Sequence, residues 1–197
     1  MSKLYFRYGA MNCGKSTNLI QVAHNYEERG MRVLLAKPQI DTKDGNMISS
    51  RLGVLREVDF MIDKDANFLE IIDQYVQNFG KIDCLLTDES QFFTEMQIDQ
   101  LFEIAVKRDI PVICYGLRTD FMTEGFPGSK RLLLIAHSIE ELKTICSCGR
   151  KAIFNPRKVN GKFVFAGEQV VIDNDAQVQY ISMCGHCYLK HKELYLS

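Results

Sequence analysis

The sequence has no long hydrophobic run, no cluster of basic residues and almost no net charge. Apolar stretches such as residues 132–136 and 112–115 are far shorter than the roughly 20 residues of a membrane-spanning helix. No basic run exceeds two residues and the formal net charge is -1, whereas non-specific nucleic-acid binding needs clustered Lys and Arg. Met1 is not followed by a charged and then apolar leader. We therefore expect a cytoplasmic protein that has neither a membrane nor a nucleic acid as a partner.

What is present is typical of an ordinary globular protein. The chain has 197 residues, of which 46% are hydrophobic, enough for one good core or for one core with a small appendage. Apolar runs of strand length alternate with segments of helical spacing, and continuous apolar runs indicate parallel strands that are buried on both faces. We predict an α/β domain over residues 1–144, with a parallel sheet flanked by helices. Predicted strands cover residues 3–8, 31–36, 82–87 and 111–115, and predicted helices cover 15–29, 68–76 and 96–107.

The pattern changes near Ile145, where we predict a second, smaller domain over residues 145–197. It contains short β-prone pieces at 162–166, 169–172 and 178–182 between glycine- and asparagine-rich turns. So small a segment buries little apolar surface, so we expect a metal to supply much of its stability. In the first domain, the polar stretch Asp41 to Ser50 is predicted to be a mobile loop near the site.

The seven cysteines indicate a metal centre and no disulfides. Three lie in apolar or glycine-rich contexts in which a small thiol simply packs: Cys13, Cys84 and Cys114. The other four form two close pairs, predicted to lie on two short hairpin-like segments: Cys146 with Cys148, and Cys184 with Cys187. Four thiolates fit a closed, structural zinc site. The alternative is that His186 or His191 replaces one cysteine.

Residues 9–16 match the phosphate-binding pattern G-x-x-x-x-G-K-[ST], between a predicted strand and a predicted helix. In such a loop backbone N–H groups converge on phosphate oxygens and the helix N-terminus adds partial positive charge, while Lys15 reaches the outer phosphates and Ser16 offers its hydroxyl to Mg²⁺. A glycine-rich turn that merely caps a helix is the alternative. The candidate ATP-binding residues are Gly9, Ala10, Met11, Asn12, Cys13, Gly14, Lys15 and Ser16.

Two carboxylates, Asp88 and Glu89, follow the predicted strand 82–87. An acidic residue at the tip of a neighbouring strand completes a P-loop site, and Asp88 suits the magnesium role. Glu89 is predicted to take a proton from an attacking hydroxyl. A solvated turn or a helix N-cap before Met96 is the alternative for the pair. ATP-hydrolysing P-loop proteins also need a carboxylate here, so Glu89 alone does not select the acceptor.

Aromatic residues gather near the predicted strand tips, where they are suited to stacking on a planar base. Each of them also suits an ordinary hydrophobic core. They are Phe92, Phe93, Phe121, Phe126 and Tyr180.

Five strings together resemble the zinc-containing, P-loop thymidine kinases of bacteria, animals and some large DNA viruses. They are GAMNCGKST, TDESQFF, CYGLRTDF, LKTICSCGRKA and EQVVI. The resemblance covers residues 4–188, and D-E-x-Q-F-F and Y-G-L-R-T-D-F are not required by ATP binding. The C-x-C spacing of the first cysteine pair is typical of the bacterial branch.

This resemblance implies a RecA-like domain, a small zinc domain, a homotetramer, and Mg²⁺-dependent transfer of the γ-phosphoryl of ATP to the 5′-hydroxyl of thymidine, with possible feedback by dTTP. Glu89 would be the proton acceptor, Asp88 and Gln91 would complete the ATP site, and Asp41 would join Ser16 and Asp88 near the magnesium. A lasso-like loop between the cysteine pairs would read the base with main-chain groups, although Asp173 to Asp175 stand where the family often has a Gly-Gly turn. The implied nucleoside pocket is Met11, Phe92, Leu117, Phe121, Phe126, Val170, Val171, Ile172 and Tyr180.

Two other classes of protein remain open at this point. One is a RecA-like ATPase whose zinc module binds nucleic acid, although the basic residues after Cys146 are scattered among acidic ones. The other is a nucleotide-dependent switch, but the sequence contains no guanine-reading motif. Conversion of thymidine, or ATP hydrolysis stimulated by DNA, distinguishes the kinase from the ATPase.

Overall fold

The computed structural model describes residues 1–40, 45–50, 52–169 and 178–196. Strands and helices alternate along most of the first domain, as predicted, but four strands follow one another between residues 33 and 62. The strands are β1 (Leu4–Tyr8), β2 (Val33–Pro38), β3 (Met47–Ser49), β4 (Leu55–Glu57), β5 (Phe60–Ile62), β6 (Cys84–Thr87), β7 (Val112–Gly116) and β8 (Ser138–Glu141). The helices are α1 (Lys15–Glu27), α2 (Phe68–Phe79), α3 (Glu95–Lys107) and α4 (Pro127–Ile135), with a 3₁₀ turn at Ser90–Phe92.

Six strands form the central sheet in the order β5-β2-β6-β7-β1-β8. Every neighbouring pair is parallel, which confirms the predicted parallel α/β sheet. Since parallel strands end at the same edge, the residues that follow β1, β6 and β7 lie side by side. These are the phosphate loop, the Asp88–Glu89 pair and Leu117.

Helices cover both faces of the sheet and explain the continuous apolar strand sequences. One buried cluster packs Ile72 of α2, Leu101 of α3 and Leu132 of α4 beneath the sheet. The other packs Leu19 of α1 and Ile48 of β3 on the opposite face. Because β2, β6 and β7 are buried on both sides, they have no polar alternation.

The prediction of a mobile loop over residues 41–50 is wrong for the second half of that range. Residues 41–44 lie outside the described part of the chain, but β3 pairs with β4 as an antiparallel hairpin. Ile48 is only 2% exposed, so its burial against α1 outweighs the local polar composition.

The C-terminal lobe contains a two-stranded hairpin, a three-stranded antiparallel sheet and a final helix. Its elements are β9 (Thr144–Ile145), β10 (Lys151–Ala152), β11 (Arg157–Val159), β12 (Lys162–Val164), β13 (Val178–Tyr180) and α5 (Gly185–Leu196). The predicted β-prone pieces at 162–166 and 178–182 are found as shorter strands, and the piece at 169–172 lies almost wholly outside the described residues. The division of the chain at residue 144 stays a prediction.

The second cysteine pair does not lie on a hairpin-like segment, so that prediction is wrong. Cys184 directly precedes α5, and Cys187 lies in its first turn. The helix forms because its sequence is rich in Leu, Lys and Glu, which have high helix propensity, and because Tyr188 is buried against the lobe. Within the described residues, no helix has the length and apolar character needed to cross a membrane.

Candidate active site and metal centre

The phosphate loop connects β1 to α1, as the motif requires. Its chain turns through left-handed conformations at Asn12, with φ of 65°, and at Gly14, with φ of 84°. Successive turns of this kind bring backbone N–H groups to one side of the loop and form an anion-binding concavity. The N-terminus of α1 opens onto the same place and adds its partial positive charge.

Lys15 is folded into this loop and is 8% exposed. Its Nζ donates to the carbonyl oxygens of Gly9 and Ala10, at 3.4 and 3.2 Å. The ammonium group therefore lies within the concavity, where its charge is available to phosphate oxygens.

The predicted magnesium residues Ser16 and Asp88 lie together. The Ser16 hydroxyl donates to Oδ2 of Asp88 over 3.3 Å, and Asp88 is 5% exposed. A hydroxyl and a carboxylate are hard oxygen donors of the kind that Mg²⁺ takes together with substrate phosphates, so the donor set fits this ion. Asp41 lies outside the described residues.

Glu89 stands at the tip of β6 in a left-handed conformation, with φ of 47°. Its backbone N–H donates to Oδ1 of Asp88 over 2.9 Å. A glutamate seldom adopts this conformation, and such strain is common where a side chain is aimed at a reactive centre. The turn directs Glu89 and Asp88 to different positions at the same edge of the sheet.

Gln91 contacts Glu89, the predicted general base, and the backbone at the end of β7. It is fully buried, and its Nε2 donates to Oε2 of Glu89. Its Oε1 accepts from the backbone N–H of Leu117 over 3.0 Å. At Gly116, a Cβ atom would come within 2.7 Å of this oxygen, so the close approach of the Gln91 amide requires glycine there. These contacts support a role for Gln91 in orienting Glu89, beside the ATP-binding role predicted for it.

We expect Gln91→Ala to lower kcat about tenfold, the value of one hydrogen bond to a charged group, with the Kd of ATP unchanged. In a Glu89→Gln background the same change should have no further effect on kcat, because residues that act as a unit are not additive. Single-turnover rates and ATP titrations of the four proteins measure this. Weaker ATP binding at unchanged kcat would instead show that Gln91 helps to bind the phosphates of ATP.

The aromatic residues predicted for the nucleoside pocket lie along the same edge of the sheet. Phe92 and Phe126 pack edge to face, with ring centroids 5.4 Å apart. Phe121 is 1% exposed, and the Arg157 guanidinium lies 3.7 Å from its ring centroid. Phe121 is thus held from the C-terminal lobe by a cation–π contact.

Other predicted pocket residues are described only in part. Tyr180 lies on β13 and is half-buried, and Met11 lies in the phosphate loop. Val170, Val171 and Ile172 lie outside the described residues. The role of each pocket residue therefore stays a prediction.

Sequence reasoning missed several polar residues of the C-terminal lobe that contact the site, among them Asn155, Arg157 and Ser182. Asn155 Oδ1 accepts from the Met11 N–H, and the Ser182 hydroxyl donates to the Met11 carbonyl, both over 2.6 Å. Arg157 also donates through Nη1 to the carbonyl of Glu168 over 3.0 Å. No local motif marks these residues, since each resembles an ordinary polar residue near a turn.

The four paired cysteines come together in a cluster that is suited to hold a metal ion. Their sulfur atoms all lie within 4.8 Å of one another, and the Cys148 and Cys184 sulfurs are 3.6 Å apart. With Zn–S bonds of about 2.3 Å, two ligands of a tetrahedral site lie about 3.8 Å apart, so the arrangement fits zinc. Neither histidine belongs to this group, and the His191 ring instead packs at 4.3 Å from that of Phe163.

The thiols affect one another's ionisation. Burial raises the pKa of Cys146, but hydrogen bonds from the backbone N–H groups of Cys148 and Cys184 outweigh burial and lower this pKa to about 6. Contacts with the Cys148 and Cys184 thiols raise the pKa of Cys187 to about 12. A bound cation resolves this conflict because it attracts every thiolate at once, so the chemistry of the cluster also fits a metal.

The cysteines within the sheet are of another kind. Burial raises the pKa values of Cys84 and Cys114 to about 12, and both lie in the cores on either side of the sheet. They are packing residues, as their apolar contexts predict.

A parallel α/β sheet with a phosphate loop and an acidic pair at a neighbouring strand tip defines a P-loop protein, and its four-cysteine cluster is suited to hold a metal. The family model of thymidine kinase matches residues 2–188. The chain therefore belongs to the thymidine kinase family.

Curated relatives are similar over almost the whole chain. A thymidine kinase from Chromobacterium violaceum is 47% identical over 95% of this chain and 98% of its own length. A thymidine kinase from Legionella pneumophila is 48% identical over 93% of this chain and 88% of its own length. A third thymidine kinase, from Francisella tularensis, is 44% identical over 93% of this chain and 95% of its own length.

Proposed function

We propose that the protein transfers the γ-phosphoryl group of ATP to the 5′-hydroxyl of thymidine, giving dTMP and ADP. The observation that carries this proposal is the convergence of the phosphate loop, Asp88 and Glu89 at one edge of the sheet, in a chain of the thymidine kinase family. Phosphoryl transfer needs mainly positioning and electrostatic stabilisation, and these residues supply both.

Each residue has a distinct part in the transfer. The backbone N–H groups of residues 12–16 hold the β- and γ-phosphates, and Lys15 offsets the charge that accumulates on the transferred group. Ser16 and Asp88 would hold Mg²⁺, which would supply positive charge to offset the negative charge of the phosphates.

Glu89 is the proposed general base. One carboxylate oxygen is held by Gln91, which leaves the other oxygen to accept the 5′-hydroxyl proton as the bond to phosphorus forms. Phe92 and Phe126, which follow Glu89 and Leu117 in sequence, pack edge to face and are suited to stack on the thymine ring.

The four cysteines are proposed to hold a structural Zn²⁺, which cross-links the two ends of the C-terminal lobe when bound. All four protein ligands are sulfur atoms, so the site has no open position for substrate. The metal is therefore assigned to stability and not to the transfer step.

The finer properties of the family are proposed for this chain on the resemblance alone. These are assembly into a homotetramer, feedback inhibition by dTTP and action in the cytoplasm. Light scattering of the purified protein and a dTTP titration of the activity test the first two.

The decisive experiment incubates the purified protein with Mg²⁺-ATP and each natural deoxynucleoside, and follows monophosphate formation by chromatography. We expect efficient conversion of thymidine. ATP consumption without any nucleoside monophosphate would refute the assigned acceptor, and stimulation of that hydrolysis by DNA would support the nucleic-acid ATPase instead.

A further inference from the structure

The phosphate loop is braced by the C-terminal lobe at its first turn. Both backbone polar groups of Met11 are bound by side chains from that lobe, the N–H by Asn155 and the carbonyl by Ser182. Ala10 is 5% exposed and packs in the hydrophobic cluster of the same lobe. Three contacts from distant parts of the sequence thus meet on two adjacent loop residues.

The two bracing side chains are themselves buried. Asn155 is 3% exposed and Ser182 is 8% exposed, so neither gains an alternative partner from bulk water. A buried polar group that loses its partner is costly, and this cost opposes rotation of the two peptide groups that flank Met11. The brace is therefore stiff compared with a contact at the surface.

The loop is held on both sides of its left-handed turn. Asn12 adopts a left-handed conformation, which asparagine tolerates better than most other residues with a side chain. The helical end of the loop is held by α1, whose first turn includes the bond from the Asn18 N–H to the Gly14 carbonyl over 2.9 Å. The opposite end is held at Met11, between the Asn155 and Ser182 side chains.

The brace is connected to the metal centre through a short backbone bridge. Phe154 and Met183 exchange two hydrogen bonds, of 3.0 and 2.9 Å. Asn155 directly follows Phe154, and Ser182 directly precedes Met183, which is followed by the ligand Cys184. Each bracing residue is therefore a direct sequence neighbour of this bridge, and the proposed metal ligand Cys184 follows it directly.

We propose that Asn155 and Ser182 are positioning residues of the ATP site, and that the four-cysteine centre controls ATP affinity through them. The bound metal holds Cys184, the bridge holds Asn155 and Ser182, and these hold the loop in the conformation that presents its N–H groups to phosphate. This inference rests on the proposed function only in that ATP occupies residues 9–16.

The first test measures ATP affinity by calorimetry in the full-length, metal-loaded protein. We expect Ser182→Ala and Asn155→Ala each to raise the Kd of ATP about tenfold, as the loss of one well-placed hydrogen bond does. Gln179→Ala, which removes an exposed polar side chain from β13 in the same lobe, should leave the Kd unchanged. Folded alanine variants with wild-type ATP affinity would overturn the proposal.

The second test removes the metal with a chelator. The stripped wild-type protein should lose ATP affinity, whereas the Asn155→Ala/Ser182→Ala double variant should lose little more on stripping. A full additional loss in the double variant would show that the metal acts by another route, and unchanged affinity in the stripped wild type would refute the link to the metal.

A third measurement follows the loop without ATP. Amide hydrogen exchange of residues 9–16 should be faster in both alanine variants and in the stripped protein, and unchanged in Gln179→Ala. Unchanged exchange in the alanine variants would overturn the brace. If wild-type protein with a protected loop binds no ATP, the proposed function fails and the brace stands, so the two failures are distinguishable.

Discussion

The Glu89→Gln variant is expected to transfer phosphate to thymidine about 100- to 10,000-fold more slowly than the wild type, the range that a general base contributes. Glutamine has about the same size and its amide oxygen can still accept the hydrogen bond from Gln91, but the amide does not take the proton of the 5′-hydroxyl. The Kd of ATP should stay within about twofold, because the phosphate contacts come from the loop and Lys15. Steady-state kinetics together with ATP calorimetry measure both effects.

A matched control separates this effect from a general loss of charge near the site. Glu95→Gln makes the same chemical change at an exposed position in the first turn of α3 and should leave kcat unchanged. Near wild-type turnover in Glu89→Gln would remove Glu89 from the mechanism. A large loss of ATP affinity with normal kcat would place it among the phosphate-binding groups instead.

Removal of one metal ligand is expected to have the second large effect. Cys184→Ser should lose the metal, unfold much of the C-terminal lobe and abolish transfer. Structural zinc in small domains contributes about 10–16 kcal/mol of apparent binding free energy, and this lobe has only a small apolar cluster with which to replace it. Elemental analysis is expected to find one zinc per wild-type chain and far less in the variant.

His186→Ala provides the matched control for the metal. This residue lies between Cys184 and Cys187 in sequence but outside the four-sulfur group, so the variant should keep its zinc and its melting temperature. Loss of zinc in His186→Ala would restore the histidine alternative. A wild-type protein that is folded, active and free of metal would refute the structural role of the centre.

Much of the first domain follows from local patterns. The strands β2, β6 and β7 are largely apolar runs because helices cover both faces of the sheet, and this pattern can be read without a partner segment. The hairpin of β3 and β4 is different, since Met47–Ser49 becomes a strand only through pairing with β4 and packing against α1. Likewise α5 replaces the expected hairpin-like segment because Tyr188 finds a buried position in the folded lobe.

By itself, the sequence determined the parts of this protein whose chemistry depends on neighbouring residues: the phosphate loop, the acidic pair after β6 and the two cysteine pairs. In each of these, a short spacing suffices to place the reactive groups, so the pattern carries the information. Only the tertiary structure decided what contacts them. Gln91 meets Glu89 and Leu117, and Asn155 and Ser182 meet Met11. The Met11 contacts join residues more than 140 positions apart, and such contacts depend on the packing of whole elements, which no local pattern records.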